Sequence, residues 1–446
     1  MIVSISAGAQ FGVPAVKAVG TPPTVFEQEI MVKNNWRRRT TALACTAAAA
    51  TLMVAGCSSD SDSDSGVDLS VLGEAKAAAG DPIELMFNTT GDKGASYTHE
   101  TEVADATVSY INEYLGGIGG RPVKLTICAD EIQAAKAREC ANKAVGSQAV
   151  AVVGGSPSNP DVVAAVTSPA AMPYFVAVGG GQATMSSPNT YALSNAVGGL
   201  LGQPAYLAKA KGIKKVAVLV IDAPLATTPF KSLGAVVKAN TGVDLEVIAI
   251  PPGTADMTPF VQAAVKSGAG QIHMVGEENF CTPIFKAIGS LGVKLPITSL
   301  SNCVSKDSAK QIPGGYPETD VLVSASSDPE SEDMKVFRAV GKKYGISAEQ
   351  EDGVTAYWSL LSLQRALDGM TGEISRKTII DRLGKMSAPV AIPMMNGQTF
   401  QCGSTPMPIT PNVCSGSVLN AALKSDGTVG EISALDVAPL FTMPGR

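Results

Sequence analysis

Short apolar runs alternate with longer helical stretches along most of this 446-residue chain, and that alternation leaves few folds open. Runs at 83–87, 123–127, 150–153 and 174–178 predict strands, with helices at 95–115, 131–145 and, shorter, after Pro160. After a break near Asn195 the cycle resumes, with strands at 216–221, 245–250, 271–275 and 297–300 and helices at 199–211, 229–240, 257–266 and 282–291. The strand runs are nearly continuous in apolar side chains, as strands buried on both faces require. Strands that alternate with helices predict an α/β fold whose parallel sheets are covered on both sides. A chain of this length exceeds one ordinary domain, so two Rossmann-like lobes are expected. A third section differs: a strand at 321–324, helices at 330–344, 350–367 and 376–385, then loops and short strands punctuated by Gly, Pro, Asn and Ser from 391 onward.

The N-terminal region has a different character. A basic cluster, Arg37, Arg38 and Arg39, precedes the small and apolar stretch 40–55, and Val54-Ala55-Gly56-Cys57 closes it. This is the layout of a secretory signal, and it resembles the lipobox of bacterial lipoproteins. The resemblance implies cleavage before Cys57 and lipidation of that residue. Residues 58–65 alternate serine with aspartate and have nothing apolar to bury, so 57–81 is expected to be a solvated tether. Residues 1–30 fit no part of a signal; Met31 reads as the true start, 31–56 as the signal peptide and 1–30 as a gene-start error. The three arginines also suggest a twin-arginine route, without the rest of that motif. No apolar run after Cys57 is long enough to cross a bilayer, so attachment to the extracytoplasmic face of a cell membrane would rest on lipid alone.

The whole chain carries a net charge of −6, and loss of the leader, with five Lys/Arg and two Asp/Glu, leaves −9. That balance argues against nucleic acid or anionic lipid as a partner. Apart from Cys45 and Cys57, six cysteines fall into three local couples: Cys128 with Cys140, Cys281 with Cys303, and Cys402 with Cys414. In an oxidising compartment an even number suggests disulfides, and nearest-neighbour pairing is the simplest of the 15 connectivities that six cysteines allow. No couple has zinc-site spacing, and His99 and His273 are the only histidines, so neither metal nor cofactor is expected.

Several segments carry a family resemblance. Tyr110-Ile111-Asn112, followed by Gly116-Gly117-Ile118-Gly119-Gly120-Arg121-Pro122-Val123-Lys124-Leu125, is similar to a helix-to-strand connection of leucine/isoleucine/valine-binding proteins. Val152-Val153-Gly154-Gly155-Ser156 and Lys214-Lys215-Val216-Ala217-Val218-Leu219 follow at the family's spacing. The resemblance runs from about Pro82 to Phe441 and implies an extracytoplasmic substrate-binding protein of an ABC importer with the type I periplasmic-binding fold. It implies two lobes, 82–195 plus 323–392 and 196–322 plus 393–446, with crossings near Asn195, Val323 and Pro393. They would close as a clamp on a small solute. Permease and ATPase subunits are the implied partners, and a monomer the implied state.

In open α/β sheets ligands sit beyond the carboxyl ends of strands. The loops expected there contain Tyr97 after the first strand, Ser156, Ser158 and Asn159 after the third, and Gly180, Gly181 and Gln182 after the fourth. Ser158, Asn159 and Pro160 have the chemistry of a helix start, whose free N–H groups and hydroxyls suit a carboxylate; the family resemblance points the same way. In the second lobe the candidates are Thr227, Glu277 and Asn302. The amino-acid-binding relatives carry a tyrosine where Thr227 stands and a glutamate near Asn302, so leucine is not implied. The expected ligand is a small organic solute of amino acid, amide or carboxylate type. A sensor of the same fold is the alternative. An exported enzyme is disfavoured, because no nucleophile elbow, phosphate loop or zinc-protease helix occurs.

Overall fold

A computed structural model describes residues 66–91, 99–346 and 353–442. The leader, Cys57, residues 58–65 and Tyr97 lie outside the described residues. The first sheet holds β1 (Ile83–Thr89), β2 (Val123–Ala129), β3 (Ala151–Gly154), β4 (Tyr174–Gly179) and β5 (Thr190–Asn195), in the order β2-β1-β3-β4-β5 and parallel throughout. Helix α1 (Glu100–Tyr114) joins β1 to β2, α2 (Ala134–Val145) joins β2 to β3, α3 (Pro160–Thr167) joins β3 to β4, and a short α4 (Gln182–Ser186) precedes β5.

The glycine-rich connection between α1 and β2 has a local physical cause. The Asn112 side chain accepts from Val123 N–H at 2.7 Å and donates to its carbonyl at 2.8 Å, so it stands in for a neighbouring strand. Gly117 turns the chain at φ +71°, and a Cβ there would collide with the Arg121 carbonyl. Only glycine tolerates both conditions.

The chain then crosses to a second sheet. After β5, the π-turn Gly198–Gly202 runs into α5 (Gln203–Ala210). Next come β6 (Lys215–Ile221), α6 (Pro224–Thr241), β7 (Asp244–Ile250), α7 (Thr258–Lys266), β8 (Gln271–Val275), α8 (Glu278–Ser290), β9 (Ile297–Leu300), α9 (Lys306–Gln311) and β10 (Thr319–Val323). The chain returns to the first sheet as α10 (Glu332–Tyr344), α11 (Val354–Leu367) and α12 (Arg376–Leu383), followed by the small antiparallel pair β11 (Val390–Ala391) and β12 (Thr399–Phe400). It ends with β13 (Ser417–Leu423) and β14 (Val429–Asp436), which complete a seven-stranded sheet of order β14-β13-β10-β9-β8-β6-β7.

Side chains alternate between two packed layers on each sheet. Phe87, Val153 and Phe175 face a core built with α1, α10, α11 and α12, whereas Met86, Val152 and Val176 face a second core. That second core continues through Val216, Val218 and Val220, while Ala217, Leu219 and Met274 face a third layer with α7 and α8. Burial on both faces explains the continuous apolar runs.

Four departures from expectation stand out. The tail beyond 391, expected as loops and short strands, contains the long hairpin β13–β14, whose pairings make the second sheet mixed and not purely parallel. The chain stays beside β5 beyond Pro393, since Cys414 N–H donates to the Ala192 carbonyl at 2.8 Å. Helices α6 and α8 begin one turn earlier than predicted, with Pro229 and Pro283 inside them rather than at their starts. The expected tether is docked from Leu69: the 3-10 turn Leu69–Leu72 is capped by Asp68 and buries Leu72 in the first core.

Candidate functional site

A cavity of about 560 Å³ lies at the carboxyl ends of strands from both sheets, within the usual range of roughly 300–1,000 Å³ for small-molecule sites. The first sheet contributes Val178 from β4 and Ser194 and Asn195 from β5, and α11 contributes Trp358. The second contributes Ile221, Val275, Leu300, Leu322 and Val323 from the ends of β6, β8, β9 and β10, with Val418 and Leu419 of β13. The π-turn supplies Gly199 and Leu200. Gly199 packs closely there, since a Cβ would stand 2.6 Å from Leu322 Cδ2 and that leucine would have to shift. The wall is therefore mostly aliphatic.

The polar groups are few. Helices α6 and α8 present their starts to the cavity through Ala223, Ala226, Gly276 and Glu277, and neither has a side-chain cap. Glu277, the residue before α8, is exposed; its carbonyl accepts from Phe280 and Cys281 N–H, and its side chain forms no hydrogen bond or ion pair among the described residues. Asn302 and Ser301 border the cavity from the turn after β9. The Cys281–Cys303 disulfide ties that turn to the first turn of α8, with both cysteines fully buried and a Cα–Cα separation of 5.3 Å. Trp358 is 1% exposed, and its indole N–H has no partner among the described residues. Buried tryptophans ordinarily find one.

Of the residues expected to contact ligand, Glu277 and Asn302 line the cavity. Thr227 is buried in α6 next to the lining residue Ala226, and its hydroxyl donates to the Ala223 carbonyl at 3.2 Å. Ser156, Ser158, Asn159, Gly180, Gly181 and Gln182 do not line it. The expectation of a ligand carboxylate or amide at Ser156 and Ser158 meets a direct obstacle at Ser158. Asp130, fully buried after β2, already accepts from Ser158 N–H at 3.0 Å, Ser158 Oγ at 2.5 Å and Asn159 N–H at 3.3 Å. The Asn159 side chain caps no helix and donates instead to Ser158 Oγ at 2.8 Å.

The same pattern recurs along this edge. Asp161 accepts from Thr184 N–H at 2.7 Å and from its hydroxyl at 3.1 Å, and it packs against Gly181. Gly180 N–H donates to Thr184 Oγ1 at 3.3 Å. Glu100, also fully buried, accepts from the Thr89 hydroxyl and lies against Gly155 and Ser156. Burial pushes the Glu100 carboxyl up to about 7, against the opposing pull of hydrogen bonds from Thr89 and Ser156.

Asp130, Asp161 and Trp358 were not singled out in the sequence. The first two were visible only as acidic residues at predicted strand or helix ends. Trp358 had a clearer signal: it is the one tryptophan outside the leader, in a helix apolar on all sides. His273, expected to be structural, is buried in β8 with Nδ1 2.9 Å from Thr298 Oγ1; burial lowers its pKa to about 3, so it is neutral. The three expected disulfides are present: Cys128–Cys140, Cys281–Cys303 and Cys402–Cys414.

Two α/β sheets, linked by repeated crossings and facing one cavity with their strand ends, define a clamp-type solute receptor. The family model described as "Periplasmic binding protein" matches residues 86–408, and the chain belongs to that family. The family is extracytoplasmic and binds small molecules in partnership with ABC transporter components. Comparison with curated proteins finds no significant relative. Similar solved structures include an ABC transporter substrate-binding protein from Sphaerobacter thermophilus, at 18% identity and a TM-score of 0.63, over 80% of this chain and 98% of that one. The branched-chain amino acid substrate-binding protein LivJ from Streptococcus pneumoniae, solved with isoleucine, gives 18% and 0.58 over 80% and 99%. A solute-binding protein from Rhodopseudomonas palustris HaA2, solved with p-hydroxybenzoic acid, gives 20% and 0.61 over 82% and 100%. Among the described residues no helix is long and apolar enough to cross a membrane.

Proposed function

We propose that this chain is the solute-capturing lipoprotein of an ABC importer. It takes up a small organic ligand with an apolar body and hands it to a permease. The observation that carries this is the aliphatic cavity of about 560 Å³ at the strand ends of both sheets. Two lobes, one around each sheet, would shut over it, with hinges near Asn195, Val323 and the stretch that follows Cys414. Closure requires the solute to bind the shut state more tightly than the open one. Among the described residues that line the cavity, Glu277 is the one with an ionisable side chain and no acid–base pair is seen, an arrangement that suits binding without turnover. Lipid on Cys57 would keep the receptor at the extracytoplasmic face beside its permease.

A thermal-shift screen over amino acids, amides, amines and carboxylates tests this reading. A ligand at 100 times its Kd stabilises the folded state by about 2.7 kcal/mol. At least one class should raise Tm in a saturable way. A screen in which none does removes the solute-binding reading, and chemical conversion of a bound compound replaces it with an enzyme.

A further inference from the structure

We infer that the cavity selects an apolar solute bearing a cationic amine and lacking a carboxylate. This deepens the solute-binding reading and rests on it. The Ser158, Asn159 and Thr184 donors on the first sheet's edge are already engaged. Asp130 holds the Ser158 N–H and hydroxyl and the Asn159 N–H at 2.5–3.3 Å, and it also accepts from Ile132 N–H at 3.0 Å. Asp161 holds the Thr184 N–H and hydroxyl. A ligand carboxylate arriving there would meet the Asp130 and Asp161 carboxyl groups and no free donors from the groups they hold, and like-charged carboxylates side by side are unfavourable.

Among the described residues the cavity gives an anion no side-chain counter-charge: no Lys, Arg or His of them lines it, and Glu277 is their one ionisable group there, its carboxylate without a partner. The opposing influence is the pair of helix starts at α6 and α8, each equivalent to about half a positive charge. Glu277 places a whole negative charge on the α8 terminus, so the local balance there is negative. An ammonium group finds its counter-ion at Glu277, while the apolar body fills the space between Ile221, Val275, Leu300 and Leu419. The buried indole N–H of Trp358, unpartnered and on the cavity wall, asks further for an acceptor oxygen on the solute.

Four probes of matched carbon skeleton separate the possibilities: isoamylamine, leucinamide, leucine and 4-methylpentanoate, titrated at pH 7 by thermal shift and calorimetry. Leucinamide and isoamylamine should raise Tm in a saturable way, leucinamide more because it offers an acceptor. Leucine and 4-methylpentanoate should bind at least tenfold more weakly. Glu277→Gln should weaken the two amines at least tenfold and lower the Tm of the unliganded protein by no more than about 1 °C. If leucine or 4-methylpentanoate binds as tightly as the amines, the amine preference is wrong and the solute-binding reading stands. If none of the four binds, the amine preference is equally overturned, and the broader screen decides the solute-binding reading.

Discussion

The two sheets present chemically opposite edges to the same cleft. At the first, loops rich in Gly, Ser, Thr and Asn are closed internally by Glu100, Asp130 and Asp161. At the second, aliphatic strand ends and two helix starts without side-chain caps stand open, and the Glu277 and Asn302 side chains have no partner among the described residues. Donor-rich loops after parallel strands are thus not by themselves a ligand site. What matters is whether the protein has already supplied the acceptors. The first edge braces its half of the molecule, and the second, with Trp358 from α11, lines the cavity where the proposed recognition would fall.

The sharpest way to break this comparison is to remove an internal acceptor. Asp130→Ala leaves several part-buried donors without their acceptor, each worth up to about 1–3 kcal/mol where water does not replace it. Relief of the repulsion from Asp130 that Glu100 feels offsets part of this. A net loss of roughly 3–5 kcal/mol is expected in urea denaturation without ligand. A loss below about 1 kcal/mol would mean that water replaces the carboxylate easily, and the first edge would then be an open seat after all.

The next effect is a pH dependence confined to the first edge. Glu100 has its folded pKa raised from 4.5 to about 7 by burial. Between those values the folded state binds more protons than the unfolded state, so stability is greatest below pH 4.5 and falls as pH rises to about 7. Above that the group adds no further slope. The loss is on the order of 3 kcal/mol. Glu100→Gln mimics the protonated acid, so the variant should lose this slope and exceed the parent in Tm at pH 8. Identical Tm profiles for parent and variant would show that Glu100 ionises without cost and that the first edge is wetter than its burial implies.

Much of the architecture was legible because it rests on local periodicity. The apolar runs marked β1 to β4 and β6 to β9, and the Asn112 and glycine pattern marked the α1–β2 connection. The disulfides were legible because each closes a short span. The site was less so, and for a physical reason. The loop 154–160 displays the same donors whether its acceptor is a ligand or an aspartate 28 residues upstream, and sequence shows donors without their partners. Prolines also misled. Pro229 and Pro283 suggested helix starts, yet α6 and α8 run a turn further toward the cleft, and that turn brings Ala223, Ala226 and Glu277 to the cavity. Each proline is the sixth residue of its helix, so it gives up one i→i−4 hydrogen bond and its ring crowds the first turn. The β13–β14 hairpin had a usable signal in Asp426-Gly427, where Gly427 sits at φ +84° and its N–H donates to the Lys424 carbonyl at 3.0 Å.

The smallest effect separates a carboxylate that serves the fold from one that serves the cleft. Glu277 is exposed and unpaired, so its contribution to stability is limited to its charge at the start of α8. Charges at a helix terminus contribute about 0.3–1 kcal/mol at low salt, and less when screened. Glu277→Ala should therefore cost a few tenths of a kcal/mol, shrinking further between 10 and 500 mM salt, while Asp130→Ala costs nearly the same at both. Parallel urea titrations of the two variants at both salt concentrations give the comparison directly. If Glu277→Ala proved as damaging as Asp130→Ala, that glutamate would be holding the second edge together, and the division between a closed edge and an open one would collapse.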